Sequence, residues 1–260
     1  MVFYRNEQGT LYCGDCIKIM KTLPAESIDF ILTSPPYNLG IEYDFYKDKR
    51  PYEEYLDFLK AFLKESYRLL KPDGRLVVNH YLSCGTAEFR FAPLMDINYI
   101  ATREVGFKHH GLAVWNDTTV VKRTAWGSYL SPSAPYVSSP FEGFLILYKQ
   151  EWKKRNEKEN KGINRITKKE FQEFTSGILK VYPEKKWRKK HPAPFPEKIS
   201  DLFIKCLTYE GDVVLDPFAG IGTTLASAQK LKRKWIGIEL SPNYCKEAVK
   251  RIKAYENLLW

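Results

Sequence analysis

Val213-Val214-Leu215-Asp216-Pro217-Phe218-Ala219-Gly220-Ile221-Gly222-Thr223-Thr224 is the stretch from which the fold is read. Val213 to Leu215 forms a short apolar strand, Gly220 and Gly222 allow a sharp turn, and Gly222 to Leu231 follows as a helix. A strand that passes through glycines into a helix can hold a ligand against bare backbone at the helix N-terminus. Trp235 to Glu239 is the next strand, and it ends on an acid 23 residues after Asp216. A carboxylate there can accept hydrogen bonds from both ribose hydroxyls of a nucleoside. Position 225 is Leu, so the Gly-x-Gly-x-x-Gly spacing of pyrophosphate binders is not met, and a cofactor without phosphate fits better. Such glycines also occur where a helix and a strand merely pack closely.

Working outward, Phe195 to Leu207 reads as a helix before this strand, and Ser241-Pro242 opens a last helix to about Glu256. Toward the N-terminus, Leu11 to Asp15 and Ile28 to Thr33 read as short buried strands. Tyr52, Tyr55, Leu56, Leu59, Phe62, Leu63 and Leu70 share one side of a helix, which Lys71-Pro72-Asp73-Gly74 stops before a strand from Arg75 to Asn79. That rhythm predicts an α/β fold, a doubly wound and mostly parallel sheet. Gly111 to Trp115 and Phe144 to Tyr148 are further strands, joined through a Ser/Pro-rich loop from Ser128 to Pro140, and Thr167 caps a helix to Phe174. The expected organisation is one domain in two parts, residues 1–148 and 191–260, with 149–190 inserted between them.

Composition narrows the function. The 260 residues are 44% hydrophobic and 15% aromatic, enough to fill a core. Apolar runs such as Phe144 to Tyr148 are too short to span a bilayer, and the N-terminus lacks the order of a secretory signal, so a cytoplasmic protein with no membrane partner is expected. Cys13 and Cys16 form a Cys-x-x-Cys with no second pair to complete a zinc site, so reduced thiols and no metal are expected. The net charge of +10 is concentrated: Lys149 to Lys190 holds fifteen Lys/Arg against six Asp/Glu, with Trp152, Phe171, Phe174, Tyr182 and Trp187 interleaved. Such a segment suits a surface that meets phosphates and bases, and it also suits a plain solvated face.

The other decisive stretch is Thr33-Ser34-Pro35-Pro36-Tyr37-Asn38, at the end of the Ile28 strand. Two prolines fix the backbone and remove two N–H donors, leaving the Ser34 and Pro35 carbonyls to accept hydrogen bonds from outside. Together, Thr33 to Tyr37 and Asp216 to Gly222 resemble the paired motifs of the amino-group DNA methyltransferases. The catalytic loop comes first and the cofactor loop last, as in their permuted beta class, and the loop is most like that of the cytosine-N(4) enzymes, with the 6-amino group of adenine the alternative target because Asn38 after the tyrosine also occurs in adenine enzymes. Tyr12 to Cys16, Lys71 to Arg75 and His191-Pro192-Ala193-Pro194-Phe195-Pro196 resemble further segments of that family in the same order.

The resemblance implies a Rossmann-like methyltransferase fold, S-adenosylmethionine as cofactor and double-stranded DNA as substrate. A cognate restriction endonuclease is an implied partner, and both monomer and homodimer stay open. It implies catalytic roles for Ser34, Pro35, Pro36 and Tyr37, with Tyr37 stacking on an extruded base. It places the cofactor among Asp15, Cys16, Thr33, His191, Phe195, Asp216, Phe218, Gly220, Gly222, Thr223, Thr224 and Glu239. DNA contacts are expected from Asn38, Arg123, Trp126, Ser128, Lys153, Lys154, Arg155, Lys185, Lys186 and Arg188. Methylation at cytosine carbon 5 is set aside, because it uses a Pro-Cys nucleophile and no cysteine here follows a proline. A non-enzymatic nucleic-acid-binding module would leave the Ser34 loop and Glu239 without a purpose. An RNA or protein-glutamine methyltransferase would carry Asn in place of Ser34 and an unpermuted order.

Overall fold

The computed structural model describes residues 1–41, 44–46, 48–85, 90–115, 129–133, 135, 141–155, 166–182 and 196–256. His191, Phe195, Arg123, Trp126, Ser128, Lys185, Lys186 and Arg188 lie outside these residues. In chain order the first elements are β1 (Val2–Arg5), β2 (Gly9–Cys13), α1 (Cys16–Met20), β3 (Ile28–Thr33), α2 (Tyr52–Leu69) and β4 (Leu70–Tyr81). A two-stranded ribbon follows, β5 (Cys84–Gly85) with β6 (Arg90–Phe91), and then α3 (Pro93–Tyr99), which continues as a π-helical turn over Ile100–Val105. Next come β7 (Lys108–Trp115), β8 (Glu142–Tyr148), α4 (Lys168–Thr175) and β9 (Ile178–Leu179). The chain closes with α5 (Glu197–Leu207), β10 (Val213–Asp216), α6 (Thr223–Lys230), β11 (Lys234–Glu239) and α7 (Pro242–Glu256).

One sheet runs in the order β1-β2-β11-β10-β3-β4-β8-β7-β9. From β2 through β4 every neighbour is parallel. These strands are covered on both faces, which is why β3 reads Ile-Asp-Phe-Ile-Leu-Thr, with every residue buried, and not as an alternating pattern. Phe30 and Leu32 join Leu202, Phe203, Leu225, Ala248 and Ile252 under α5, α6 and α7 on one face. Ile28 and Ile31 meet Tyr55, Leu59, Phe62 and Leu63 of α2, with Met20, Ile97 and Ala101, on the other. From β10 the chain winds outward to β11 and from β3 outward to β4, so the winding reverses between β10 and β3. That is the switch point at which sheets of this kind open a crevice beyond their carboxyl ends.

Local departures from the sequence expectation have physical causes. Lys71 to Gly74, expected as a turn between elements, lies within β4. The ladder to β3 slips there, pairing Ile28 with Leu70 and then Phe30 with Arg75, so the turn is a bulge in a continuing strand. Beyond β4 the winding ceases to be parallel: β8 returns antiparallel beside β4, and β7 antiparallel beside β8. The Thr167 cap is a full capping box, with Glu170 reaching back to the Thr167 N–H. No helix among the described residues is long and apolar enough to cross a membrane.

The start of the basic segment corrects the expected DNA face. Because β8 runs antiparallel to β4, it ends at the amino ends of the parallel strands, opposite the Ser34 loop. β3 alone separates those two ends by about 20 Å. Lys149, buried, donates to Glu26 and to the Leu70 carbonyl. The Lys154 side chain is 8% exposed and bridges Asp29 of β3 at 3.3 Å and Asp212, just before β10, at 3.2 Å. Arg155 pairs with Glu151, and its backbone N–H donates to Asp73. Lys153 is exposed at this same far end. Lys154 therefore clamps two central strands, and the Lys153 to Arg155 run does not face the Ser34 loop. Lys154→Met, which takes the cation from Asp212 and leaves Asp29 with Lys71 alone, is expected to lower stability to denaturant by up to about 3 kcal/mol while DNA affinity stays unchanged.

Candidate active site and cofactor cleft

β3 and β10 are hydrogen-bonded neighbours, pairing Phe30 with Val214 and Ile31 with Leu215, so the Ser34 loop and the Asp216 loop leave the sheet side by side. One buried hydrogen bond pins the two: Thr33 Oγ1 donates to Asp216 Oδ1 at 2.7 Å. The same oxygen accepts the Phe218 N–H at 3.1 Å. Burial pushes the Asp216 carboxyl up to about 6, against the pull of these donors.

The Ser34-Pro35-Pro36-Tyr37 turn is held from behind. Tyr55 of α2 donates to the Pro36 carbonyl at 2.7 Å and lies 2.8 Å from His80 Nε2, whose buried imidazole is driven down to about 3 and stays neutral. Ser34 Oγ donates to Tyr37 Oη at 2.9 Å. Tyr37 Oη in turn lies 2.7 Å from Asn79 Oδ1 and 2.7 Å from Glu142 Oε2. Burial, then the Glu142 charge, raise the Tyr37 phenol well above its usual range, so it keeps its proton as a donor. With the Ser34 proton engaged on Tyr37, the lone pairs of Ser34 remain available as acceptors.

Tyr37 departs from expectation. Its ring is 5% exposed and packed 4.5 Å from His80 and 5.1 Å from Tyr81, so it is a buried brace for Ser34 and not an open stacking platform. Asn38 departs too. Its side chain donates to the Arg50 carbonyl at 2.9 Å and accepts the Arg50 N–H at 2.7 Å, closing the loop on itself where a DNA contact was expected. Asn79 and Glu142 were missed by the sequence reading. Asn79 carries a faint signal, a polar residue closing the apolar run Leu76-Val77-Val78, whereas nothing local marks Glu142.

Beside the turn lies a cavity of about 240 Å³. Of the expected residues, Asp15, Cys16, Ser34, Pro36, Tyr37, Asp216, Phe218, Gly220, Thr223 and Glu239 line it. Glu239 Oε2 accepts the Gly220 N–H at 2.8 Å and Oε1 the Ser241 N–H at 2.7 Å, which leaves each oxygen a further lone pair. Burial nevertheless lifts this carboxyl to about 7. Asp15 caps α1 through the Lys18 N–H, and Phe218 rests edge-on against Phe58 and Phe62 of α2. Phe45, Tyr46 and Arg50, from the loop between β3 and α2, complete the wall. Sequence reading passed over them because that loop has no periodicity.

Three expected cofactor residues stand behind the wall. Thr33 and Thr224 are buried, Thr224 with its hydroxyl toward the Leu32 carbonyl. At Gly222, with φ of +77°, a Cβ would come 2.7 Å from Ala248 Cβ, so this glycine serves the approach of α6 to α7 and not of a ligand.

Comparison with known proteins agrees with this geometry. Residues 28–250 match the family model described as DNA methylase. The chain is 49% identical over 156 residues, 60% of its length and 77% of the relative's, to the type II methyltransferase M.MjaVI of Methanocaldococcus jannaschii. It superposes with a TM-score of 0.76 and 27% identity on a structure described as a DNA modification methylase of Thermus thermophilus complexed with S-adenosyl-L-methionine, covering 94% of this chain and 93% of that one. The PvuII cytosine-N4-specific DNA methyltransferase shares the fold at a TM-score of 0.75 and 24% identity, over 98% of this chain and 94% of that one.

The cleft fits S-adenosylmethionine: a buried carboxylate with lone pairs to spare for ribose hydroxyls, aromatic walls, and acids to offset a sulfonium and an amine. If Glu239 holds the ribose hydroxyls, which donate, its ionised form is the one that binds. Since its ionisation falls near pH 7, affinity for S-adenosylmethionine measured by calorimetry is expected to rise with pH through about 7. Below that it should fall by up to about tenfold per pH unit. Glu239→Gln is expected to bind more weakly and to flatten this pH dependence.

Proposed function

The chain belongs to the DNA methylase family, and on that premise we propose that it methylates the 4-amino group of cytosine at a specific site in duplex DNA. The observation that carries the reading is the Ser34–Tyr37 hydrogen bond of 2.9 Å, which orients Ser34 as an acceptor at the mouth of the cofactor cleft. An exocyclic amino nitrogen is a poor nucleophile because its lone pair is delocalised into the ring. Ser34 Oγ and the Pro35 carbonyl would each accept one N–H, drawing the nitrogen toward a tetrahedral shape with its lone pair aimed at the cleft. Glu239, Asp15 and the Asp216 loop would hold S-adenosylmethionine, whose sulfonium would give up its methyl group to the nitrogen and leave as a neutral thioether, the methylated nitrogen then losing one proton to solvent. Most of the acceleration then comes from positioning, without a covalent intermediate.

The choice of cytosine rests on Ser34 at the head of the loop, the residue that the cytosine-N(4) enzymes carry there. The base must leave the duplex to reach Ser34, which lines a recess together with Pro36 and Tyr37. The DNA surface we assign to the catalytic end of the sheet. β9 pairs with Val114 and Trp115 at the end of β7 level with Glu142, so Tyr182, 73% exposed, stands on that side. Lys185, Lys186 and Arg188 follow it in sequence.

Ser34→Ala is expected to lower turnover about 100-fold with cofactor affinity unchanged, and Tyr37→Phe, which releases the Ser34 hydroxyl, to lower it about tenfold. Transfer of tritiated methyl and calorimetry check both. Mass spectrometry of nucleosides from methylated DNA should give 4-methylcytosine; 6-methyladenine alone would overturn the choice of base. Replacing Lys185, Lys186 and Arg188 together is expected to reduce the slope of log affinity against log salt by about 3, since each cation that neutralises a phosphate accounts for about one unit.

A further inference from the structure

The Ser/Pro-rich connection between β7 and β8 has so far been given no role. Its roots stand at the Ser34 end of the sheet. Trp115, the last residue of β7, and Tyr81, the last of β4, both pair with Glu142, the first of β8. Glu142 lies 2.7 Å from Tyr37 Oη, and the Leu82 N–H donates to the Phe141 carbonyl at 3.3 Å. The connection therefore leaves and re-enters the sheet at the end where a base must enter the recess beside Ser34.

Of this connection, residues 129–133, 135 and 141 are described, and 129–133 and 135 are all exposed. Leu130 is 89% exposed, the most open large apolar side chain among the described residues, and Tyr129 beside it is 68% exposed. Leu130 also holds φ at +66°, and among the described residues it is the one apolar residue other than glycine with φ in the left-handed region. The turn behind it is bonded: Ser131 Oγ donates to Ser133 Oγ at 2.9 Å and accepts the Ser133 N–H at 3.3 Å. A partly exposed leucine is ordinary. One this open, on a backbone that leucine disfavours, costs free energy on two counts, and it joins neither hydrophobic core.

The dimensions of the tip indicate what it meets. Two side chains cannot supply the roughly 800 Å² per partner of a stable protein interface. A base drawn from a duplex leaves a gap about 3.4 Å thick whose neighbours have lost their stacking. One leucine side chain suits that gap, and apolar wedges of this kind enter DNA between base steps. We propose that Leu130 is a positioning residue that enters the duplex as the target base leaves it, filling the gap and holding the base out. This inference rests on the reading of the Ser34 recess as the seat of a base extruded from duplex DNA.

The test is single-turnover methyl transfer by the full chain on a duplex carrying its site and on the same duplex with the target base mispaired, where extrusion costs less. Leu130→Ala should slow transfer about tenfold on the paired duplex and stay within about twofold of wild type on the mispaired one. Leu130→Gly relaxes the backbone but removes the wedge, so it should lose as much, whereas Leu130→Met should keep most of the wild-type rate. Affinity for S-adenosylmethionine, measured by calorimetry, should not change in any of the three. An unchanged rate for Leu130→Ala on the paired duplex, or equal losses on both duplexes, would overturn the proposal. A wild-type chain that methylated neither duplex would instead overturn the duplex-DNA reading on which the wedge rests.

Discussion

A single buried hydrogen bond, Thr33 to Asp216 at 2.7 Å, joins residues 183 positions apart and fixes the relation of the two loops on which the site depends. It forms because β3 and β10 are adjacent where the winding of the sheet reverses. A charge-assisted bond of this kind, withdrawn from water, is worth about 1.5–3 kcal/mol. Its larger consequence is geometric. The catalytic turn cannot shift against the cofactor loop without opening the centre of the sheet.

Around that junction, polar groups are buried in chains and not singly. Ser34, Tyr37, Asn79 and Glu142 draw on three strands, β3 through its loop, β4 and β8, to hold one serine oxygen in place. Glu197, Lys230, Asp201 and Arg251 tie α5, α6 and α7 together behind Thr223. Each chain places charge where its desolvation cost is offset by partners, and each ends at an atom that faces the cleft. Asp216 and Glu239, two of the carboxyls whose ionisation burial raises, line that cleft, where a ligand would supply further donors.

Partnership also separates structural cations from those free to meet a nucleic acid. Lys149 and Lys154 belong to the most basic stretch of the chain, yet both are engaged at the amino ends of the strands. Net charge reports how many cations a segment carries. The direction of β8 decides which end of the sheet receives Lys149 and Lys154.

The central strands and the helices that cover them, their order and the mostly parallel sheet could be read from the sequence, whereas β1, α1, α3 with its π-helical turn, and the short β5, β6 and β9 could not. What could be read rests on local physics: apolar runs, glycine turns, a Thr-x-x-Glu cap, and the spacing from Asp216 to Glu239. The bulge at Lys71 to Gly74, the burial of Tyr37, the inward use of Asn38 and Lys154, and the roles of Asn79, Glu142 and Arg251 could not. Each depends on a partner tens to hundreds of residues away, and a side chain's surroundings are settled only when its strand has neighbours. By itself the sequence determined the family and singled out the two loops that meet at the switch point of the sheet. The tertiary structure decided which atoms of those loops face the cleft and which are consumed in holding it, because burial and hydrogen-bond partnership are properties of the assembled sheet and not of any one segment.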